Sequence, residues 1–498
     1  MSPDATAARS VWTSILVAAA ATLLLQACGG DSGVSPLPPP PPPPSPPVAR
    51  LAFLDQPGTA ESQATLDPAI RVALQDAFGS TVTTASSEVT IALAANPTGA
   101  TLSGTTTVRA VSGIATFSDL SLERPGDGFA LLAQSAGLPP AASAEFSVRL
   151  TYVLVSAGGA HSCGVTVAGF AYCWGTSGEG QVGDGTFANR HVSTPVPGRL
   201  SFAQLSAGTS HTCGVTTSHA AYCWGANGQG QLGDGTTDMR PFPSRIAADP
   251  IFNQISAGVL HSCGVTTGGV AYCWGLNQSG QLGDSAGIQW LRPAPVVGGL
   301  TFVQVSAGDD HSCGVTADRR ALCWGDNFYG QLGDGTNTAR LVPTRVAGDL
   351  SFVQVSASWT HTCGITADGR AYCWGSGGAG RLGDGTNVGR PTPTEVAGAL
   401  RFVEVSAGFS HSCAVTPGDA AYCWGSNANG GLGDGTTVER NAPTLVVGEV
   451  HFLHVSAGDQ HTCGVTTDHA VYCWGGNIFG QLGDGTTTDR LTPTRVVP

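Results

Sequence analysis

The chain contains no lysine: all 22 of its basic residues are arginine, set against 35 acidic ones for a formal net charge of −13. No basic tract stands anywhere along it, which removes the electrostatic footprint that a nucleic-acid-binding chain needs. Charged residues of both signs make up only 11% of the 498 positions, and polarity comes instead from Ser, Thr, Asn, Gln and Gly. Long helical patterns are lacking as well, because 70 Gly and 31 Pro interrupt the chain too often to allow them. An all-β chain of two or three domains is expected. Also missing are a phosphate-cradling loop, a His-Glu-x-x-His pair, a nucleophile elbow, and any carboxylate pair that stands apart from the repeat described below. An enzymatic function has no residues to rest on, and neither a cofactor nor a metal is expected.

Only one apolar run is prominent, Val11 to Leu25 after Arg9, and it is too short for a comfortable membrane span. It ends in Leu25-Gln26-Ala27-Cys28, which resembles a bacterial lipobox; the resemblance implies a signal peptide over residues 1–27 and lipid on Cys28. An ordinary signal peptide cut near Cys28 is the alternative. Gly29-Gly30 lacks the Asp that holds similar lipoproteins at the inner membrane, so the resemblance implies the outer membrane, facing outward or into the periplasm. Residues 28–48 then form a linker with seven consecutive prolines, Pro38 to Pro44, a stiff extended spacer rising roughly 3 Å per residue.

Residues 49–149 change character. Alternating runs such as Val89-Thr90-Ile91-Ala92-Leu93 and Ile114-Ala115-Thr116-Phe117 are separated by turns at Asn96-Pro97-Thr98-Gly99 and Pro125-Gly126-Asp127-Gly128, the pattern of one β-sandwich. Asn96 to Gly104, followed by Gly113-Ile114-Ala115-Thr116-Phe117, resembles bacterial immunoglobulin-like surface domains. No cysteine lies in this segment, and its expected role is that of a spacer.

From residue 150 to 498 the chain repeats with a period of 50: His161 to His461, Cys163 to Cys463, Cys173 to Cys473, Trp174 to Trp474 and Asp184 to Asp484 recur in seven rows. Each row reads as four short strands, which cannot bury their faces alone, so radial packing into a seven-bladed β-propeller is expected. The His-Ser/Thr-Cys-Gly-Val-Thr strand, the Tyr-Cys-Trp-Gly strand and the Gly-Gln-Leu-Gly loop resemble the repeats of the regulator of chromosome condensation family. Departures are local: Ser358 replaces Gly, Leu322 replaces Tyr, Arg381 and Gly431 replace Gln, and Ser285-Ala286 interrupt the third Asp-Gly-Thr loop.

Fourteen of the 15 cysteines fall into pairs ten residues apart, leaving Cys28 as the odd one. Counting back from the turn at Ala367-Asp368-Gly369 sets Cys363 opposite Cys373, as a cross-strand disulfide needs. Six further pairs follow by symmetry: Cys163 with Cys173, Cys213 with Cys223, Cys263 with Cys273, Cys313 with Cys323, Cys413 with Cys423, and Cys463 with Cys473. A zinc site of His361, Cys363 and Cys373 is the rival reading, one ligand short of four. The repeated His is expected to bond the adjacent turn. The loop Asp is expected to brace against the Arg six residues on (Arg190, Arg240, Arg340, Arg390, Arg440, Arg490), with calcium binding as the alternative. The repeated Trp is expected in the core.

Connection lengths suggest that the long path from Gly375 to Pro393 crosses between blades, so that a blade would run last strand, first, second, third. The N-terminal strand near Val153 to Ala157 would then pair with the final strand, Thr492 to Val497, to close the ring. With alternating strands, the turn after Ser-Ala-Gly and the loop after Trp-Gly emerge on one face. There the rows differ most, in Trp290, Asp309, Asp310, Phe328, Tyr329, Trp359, Phe409, Asp459, Ile478 and Phe479, and this is the expected partner-binding surface.

Members of the resembling family act on partner proteins through a propeller face, one as a guanine-nucleotide exchange factor that binds chromatin and a secreted bacterial relative as a β-lactamase inhibitor. For this chain the expectation is a monomeric, surface-anchored, non-enzymatic binding scaffold. Its partner would be an unknown protein or glycan at the cell surface, its membrane contact a lipid anchor, and nucleic acid no part of it. A structural or adhesion element and, more weakly, an exchange factor are the alternatives.

Overall fold

The computed structural model describes residues 45–247 and 250–498; the apolar run, Cys28 and the polyproline tract lie outside the described residues. From Tyr152 onward the chain forms seven four-stranded antiparallel sheets, one per row of the repeat, in a propeller-like, all-β arrangement. In the first sheet the strands are Tyr152–Ala157, His161–Thr166, Ala171–Gly175 and Arg190–Pro195, and this is also their order across the sheet. The hairpin joining the second and third strands needs a left-handed residue at its last turn position. Glycine supplies it in three rows (Gly169, Gly269, Gly369), while His219, Arg319, Asp419 and His469 adopt φ of 62–63° in the others.

Sheet composition corrects the expectation from loop length. Tyr172 pairs with Pro195 and Gly175 with Arg190, so the fourth strand joins the third strand of its own row, and the long loop stays within the sheet. The six residues from Val196 to Ser201 make the crossover to the next sheet. Extended, they reach roughly 20 Å, enough to pass the roughly 14 Å of three strand spacings. The first and last strands of the ring therefore do not share a sheet.

The seventh sheet instead meets the first through the contacts used between every other pair. Trp174 Nε1 donates to the Gln481 carbonyl at 2.9 Å, as Trp224 Nε1 does to Gln181 at 3.0 Å. His461 Nε2 meets Ser162 Oγ at 2.8 Å, as His161 Nε2 meets Thr212 Oγ1 at 2.8 Å. Thus the repeated His bonds the neighbouring sheet and not its adjacent turn. Each core cluster spans two sheets, for example Cys263, Cys273 and Leu282 of the third with Phe302, Val305 and Trp324 of the fourth. All seven indoles are fully buried, and each removes on the order of 200 Å² from water, about 5 kcal/mol gross before entropy is charged against it.

All seven cysteine pairs are disulfides within their hairpins. Oxidised to each other, Cys363 and Cys373 offer no thiolate, and His361 Nε2 is engaged by Ser412 Oγ at 2.9 Å, so the zinc reading of this triad falls.

Residues 50–149 build a three-stranded, a six-stranded and a small two-stranded sheet around one core that includes Ile70, Val72, Val89, Ile91, Phe117, Phe129 and Leu131. This unit touches the first repeat sheet through Tyr172, whose hydroxyl meets Ser62 Oγ at 2.9 Å and Gln63 Nε2 at 2.8 Å. The cover makes Tyr172 only 2% exposed, whereas its counterparts Tyr222, Tyr272 and Tyr372 are partly open.

Candidate binding face

Antiparallel order carries the first turn of every sheet and the loop after Trp-Gly to one face, as expected: His161 stands opposite Gly175, and Gly175 opposite Arg190. The loops are rigid by construction. In six rows the Arg guanidinium grips the loop Asp at 2.5–2.9 Å, and the Asp also accepts from the Thr two residues on, as Asp334 does from Thr336 at 2.7 Å. This bears out the bracing reading. An Asn that the sequence reading did not single out completes the frame: Asn227 donates to the carbonyls of Thr236 and Asp238 at 3.0 Å and accepts from the Leu232 N–H. Gly377 and Ser177 stand at that position in the fifth and first rows.

At the inner end of the sheets the first turns surround a shallow mouth. Six backbone hydrogen bonds of 3.1–3.2 Å run from sheet to sheet round it, from Gly159 N–H to the Gly208 carbonyl through to Asp459 N–H to the Gly158 carbonyl. At the remaining step Ser358, the residue replacing Gly, donates its hydroxyl to the Gly408 carbonyl. On this uniform ring the seven equivalent positions are Gly159, Thr209, Val259, Asp309, Trp359, Phe409 and Asp459. One side is therefore nearly bare. The other carries a Trp359–Phe409 stack with ring centroids 4.0 Å apart and planes 18° from parallel, flanked by two carboxylates.

Those carboxylates are poorly solvated. Burial, then the charge of Asp310, pushes the Asp309 carboxyl up to about 6, with a hydrogen bond from Trp359 drawing it partly back. Burial and the charge of Asp309 likewise push Asp459 up to about 6. Asp310 is raised by burial and by Asp326, and it accepts from Gln281 Nε2 at 2.9 Å.

Of the ten residues expected at the partner surface, the structure gathers Asp309, Trp359, Phe409 and Asp459 at the mouth, with Asp310 beside them. Phe328 and Tyr329 occupy the fourth loop, packed edge-on at 4.9 Å with Phe328 71% exposed. Ile478 and Phe479 are exposed in the seventh loop. Trp290 stands at the outer end of the same face. It begins the outermost strand of the third sheet, opposite Gly275, and its indole N–H donates to Asp284 at 2.6 Å, doing for the interrupted loop what Arg does in the other rows.

The sequence reading missed Arg381, although its replacement of Gln was the available signal. Its Nη1 donates to Thr360 Oγ1 at 3.1 Å and to the Phe409 carbonyl at 3.3 Å, which fixes the wall behind the aromatic stack.

Seven four-stranded antiparallel sheets repeated with a common frame and joined by like contacts define a propeller-like repeat protein. Comparison with known proteins gives the family: the model of the RCC1-like domain matches residues 127–464, and models of the regulator of chromosome condensation (RCC1) repeat match residues 452–481 and 468–498. The chain belongs to the RCC1-like domain family, and none of these matches indicates an enzyme. No curated protein matches it significantly. Among solved structures it is similar to human WBSCR16, with 21% identity over 66% of this chain and 94% of that one and a TM-score of 0.60. It is also similar to Saccharomyces cerevisiae Prp20p, a structure described with its binding properties to Gsp1p and histones; identity is 22% over 62% of this chain and 81% of that one, and the TM-score is 0.56. Yeast RCC1 (Prp20) bound to Kap60 matches at 19% identity over 70% and 86%, with a TM-score of 0.59. At these identities the likeness concerns the fold.

Proposed function

We propose that the chain is a non-enzymatic binding scaffold, a closed seven-bladed propeller carried at the cell surface by lipid on Cys28, the proline-rich linker and an immunoglobulin-like domain. Its loop face engages an envelope or extracellular protein. The observation that carries the reading is the mouth, where a ring of repeated backbone bonds displays Gly, Thr, Val, Asp, Trp, Phe and Asp at equivalent positions. Side chains that serve only to hold the ring would repeat with it; these do not. Protein binding is also what the description of Prp20p reports of that relative.

The test is a pull-down from envelope extract. Trp359→Ala and Phe409→Ala are expected to weaken capture of a saturable partner at least tenfold with the fold intact, while Thr217→Ala and Asp368→Ala on the opposite face leave it unchanged. Equal behaviour of the two sets would reject this face. For the anchor, labelled palmitate is expected in the parent protein and not in Cys28→Ser; a parent that takes up no label would remove the lipid from the proposal.

A further inference from the structure

The scaffold reading leaves the chemistry of the partner unstated, and the distribution of charge over the propeller narrows it. On the loop face six arginines are consumed by their loop aspartates. Asp309, Asp310, Asp326, Glu439, Asp459 and Asp489 remain on the same face with no basic side chain at ion-pair distance among the described residues. The one cation at the mouth, Arg381, spends its donors on Thr360 and on the Phe409 and Gly378 carbonyls. The opposite face differs: Arg320, Arg345 and Arg370 lie with Asp318, Asp349, Asp368 and Glu395 at 2.5–3.7 Å, so charge there largely cancels.

Exposed aromatic surface coincides with the unpaired acid. Trp359 is 41% exposed at the mouth, and Phe328 and Tyr329 lie open in the loop that also carries Asp326. A neutral glycan would find the aromatic platform useful but would leave these carboxylates without counter-charge. A cationic side chain satisfies both features, since an ammonium or guanidinium is attracted to the face of an indole and to a carboxylate beside it.

We propose that the loop face docks a basic polypeptide segment of a partner protein, with one Arg or Lys side chain seated at the mouth between Asp309 and Asp459 against the Trp359–Phe409 stack. This rests on the scaffold reading and adds the chemistry of its partner. The unpaired acid also steers such a segment toward this face and not the other, because complementary potential acts chiefly on encounter and orientation.

The test titrates fluorescent hexa-arginine and hexa-glutamate peptides against the full-length protein in detergent. Hexa-arginine is expected to bind and hexa-glutamate not to. Asp309→Asn/Asp459→Asn is expected to lose at least tenfold in hexa-arginine affinity and Trp359→Ala at least fivefold. The charge-matched Asp318→Asn/Asp368→Asn on the opposite face should lose less than twofold, with melting curves confirming that every variant is folded. Equal losses in the two double variants would reduce the effect to net charge and overturn the proposal, as would binding of hexa-glutamate. Capture of a protein that is lost in Trp359→Ala but indifferent to Asp309→Asn/Asp459→Asn would overturn the cationic docking while leaving the scaffold reading in place. Binding of neutral oligosaccharides at Trp359 without hexa-arginine binding would overturn it in favour of a glycan.

Discussion

Acidification below pH 6.5 is expected to destabilise the propeller steeply, well before its surface carboxylates titrate. The repeated histidines, His161 to His461, are at most 2% exposed. In each of these contacts the neighbouring hydroxyl donates onward to a backbone carbonyl, as Thr212 does to Gln181 at 3.0 Å, so it receives its own bond from Nε2–H. Nδ1 is left as a bare lone pair, without a partner in six of the seven. Among the described residues no carboxylate is set to hold a second proton there. Burial consequently lowers His161, His211, His311 and His461 to about 3 and His261 and His411 to about 4, and lowers His361 strongly as well. The unfolded chain takes up these protons from pH 6.5 downward while the folded one does not, so stability present above 6.5 is lost as pH falls. At pH 5 each histidine accounts for about 2 kcal/mol, on the order of 10 kcal/mol for the ring.

Three carboxylates act in the opposite sense, Asp310 among them. Asp309 and Asp459, raised to about 6, are more easily protonated in the folded state, and the stability they cost at neutral pH is regained as pH falls through 6. They are outnumbered. The loop aspartates add a later loss: burial opposes it, but hydrogen bonds from Thr336 and Arg340 hold Asp334 below its ordinary value, so its contribution disappears only below about pH 4. Denaturant midpoints measured from pH 7.5 to 4.5 should fall with a slope of several protons, and His211→Gln should reduce that slope by about one. A midpoint that stays flat to pH 5 would show that the imidazoles are not held neutral.

The same periodicity explains what could be read in advance. His, Cys, Trp and the Asp–Arg pair recur because each serves an interface between or within sheets, and seven copies, six for the Asp–Arg pair, make even a single-chain pattern unambiguous. Strand phase was not legible, because the loop from Gly175 to Arg190 is long for a reason unrelated to crossing between sheets. Its Gln181–Gly183 segment lies against the next sheet, where Trp224 Nε1 bonds the Gln181 carbonyl and a Cβ on Gly183 would come within 2.4 Å of that indole nitrogen. The loop then returns to its own sheet. Length measures the plug, and connection length alone cannot separate a plug from a crossover. The histidine partner was missed for a related reason, since the adjacent turn and the hydroxyl 51 residues on both recur with the repeat, so periodicity does not separate them. At the site, Asp309, Trp359, Phe409 and Asp459 were visible as departures from a repeat, whereas the bracing bond of Trp290 to Asp284 was not, because an exposed indole that replaces a bracing Arg looks the same in sequence as one that braces nothing.

Loss of the disulfides is expected to be the largest single insult to the fold. Each closes a hairpin with a sequence separation of 10, and the chain-entropy relation gives about 2.7 kcal/mol for such a loop. Seven together amount to on the order of 15–20 kcal/mol, which matches or exceeds the 5–15 kcal/mol net stability of an ordinary domain. The small core of each sheet points the same way, because its cluster already counts the paired cysteines among its buried members. The fourteen paired cysteines are fully buried, so a reductant must wait for a sheet to open. Native protein in dithiothreitol at 25 °C is therefore expected to keep its spectrum for hours. On heating in the same buffer its melting temperature should fall by more than 20 °C, and the reduced, unfolded chain should not refold until reoxidised. Removing one pair, Cys363→Ala with Cys373→Ala, should cost about 2–5 kcal/mol and leave the other six bonds intact by non-reducing peptide mapping. A reduced chain that refolds to the parent melting temperature would show that packing of the repeated Trp and Phe residues alone suffices to close the propeller.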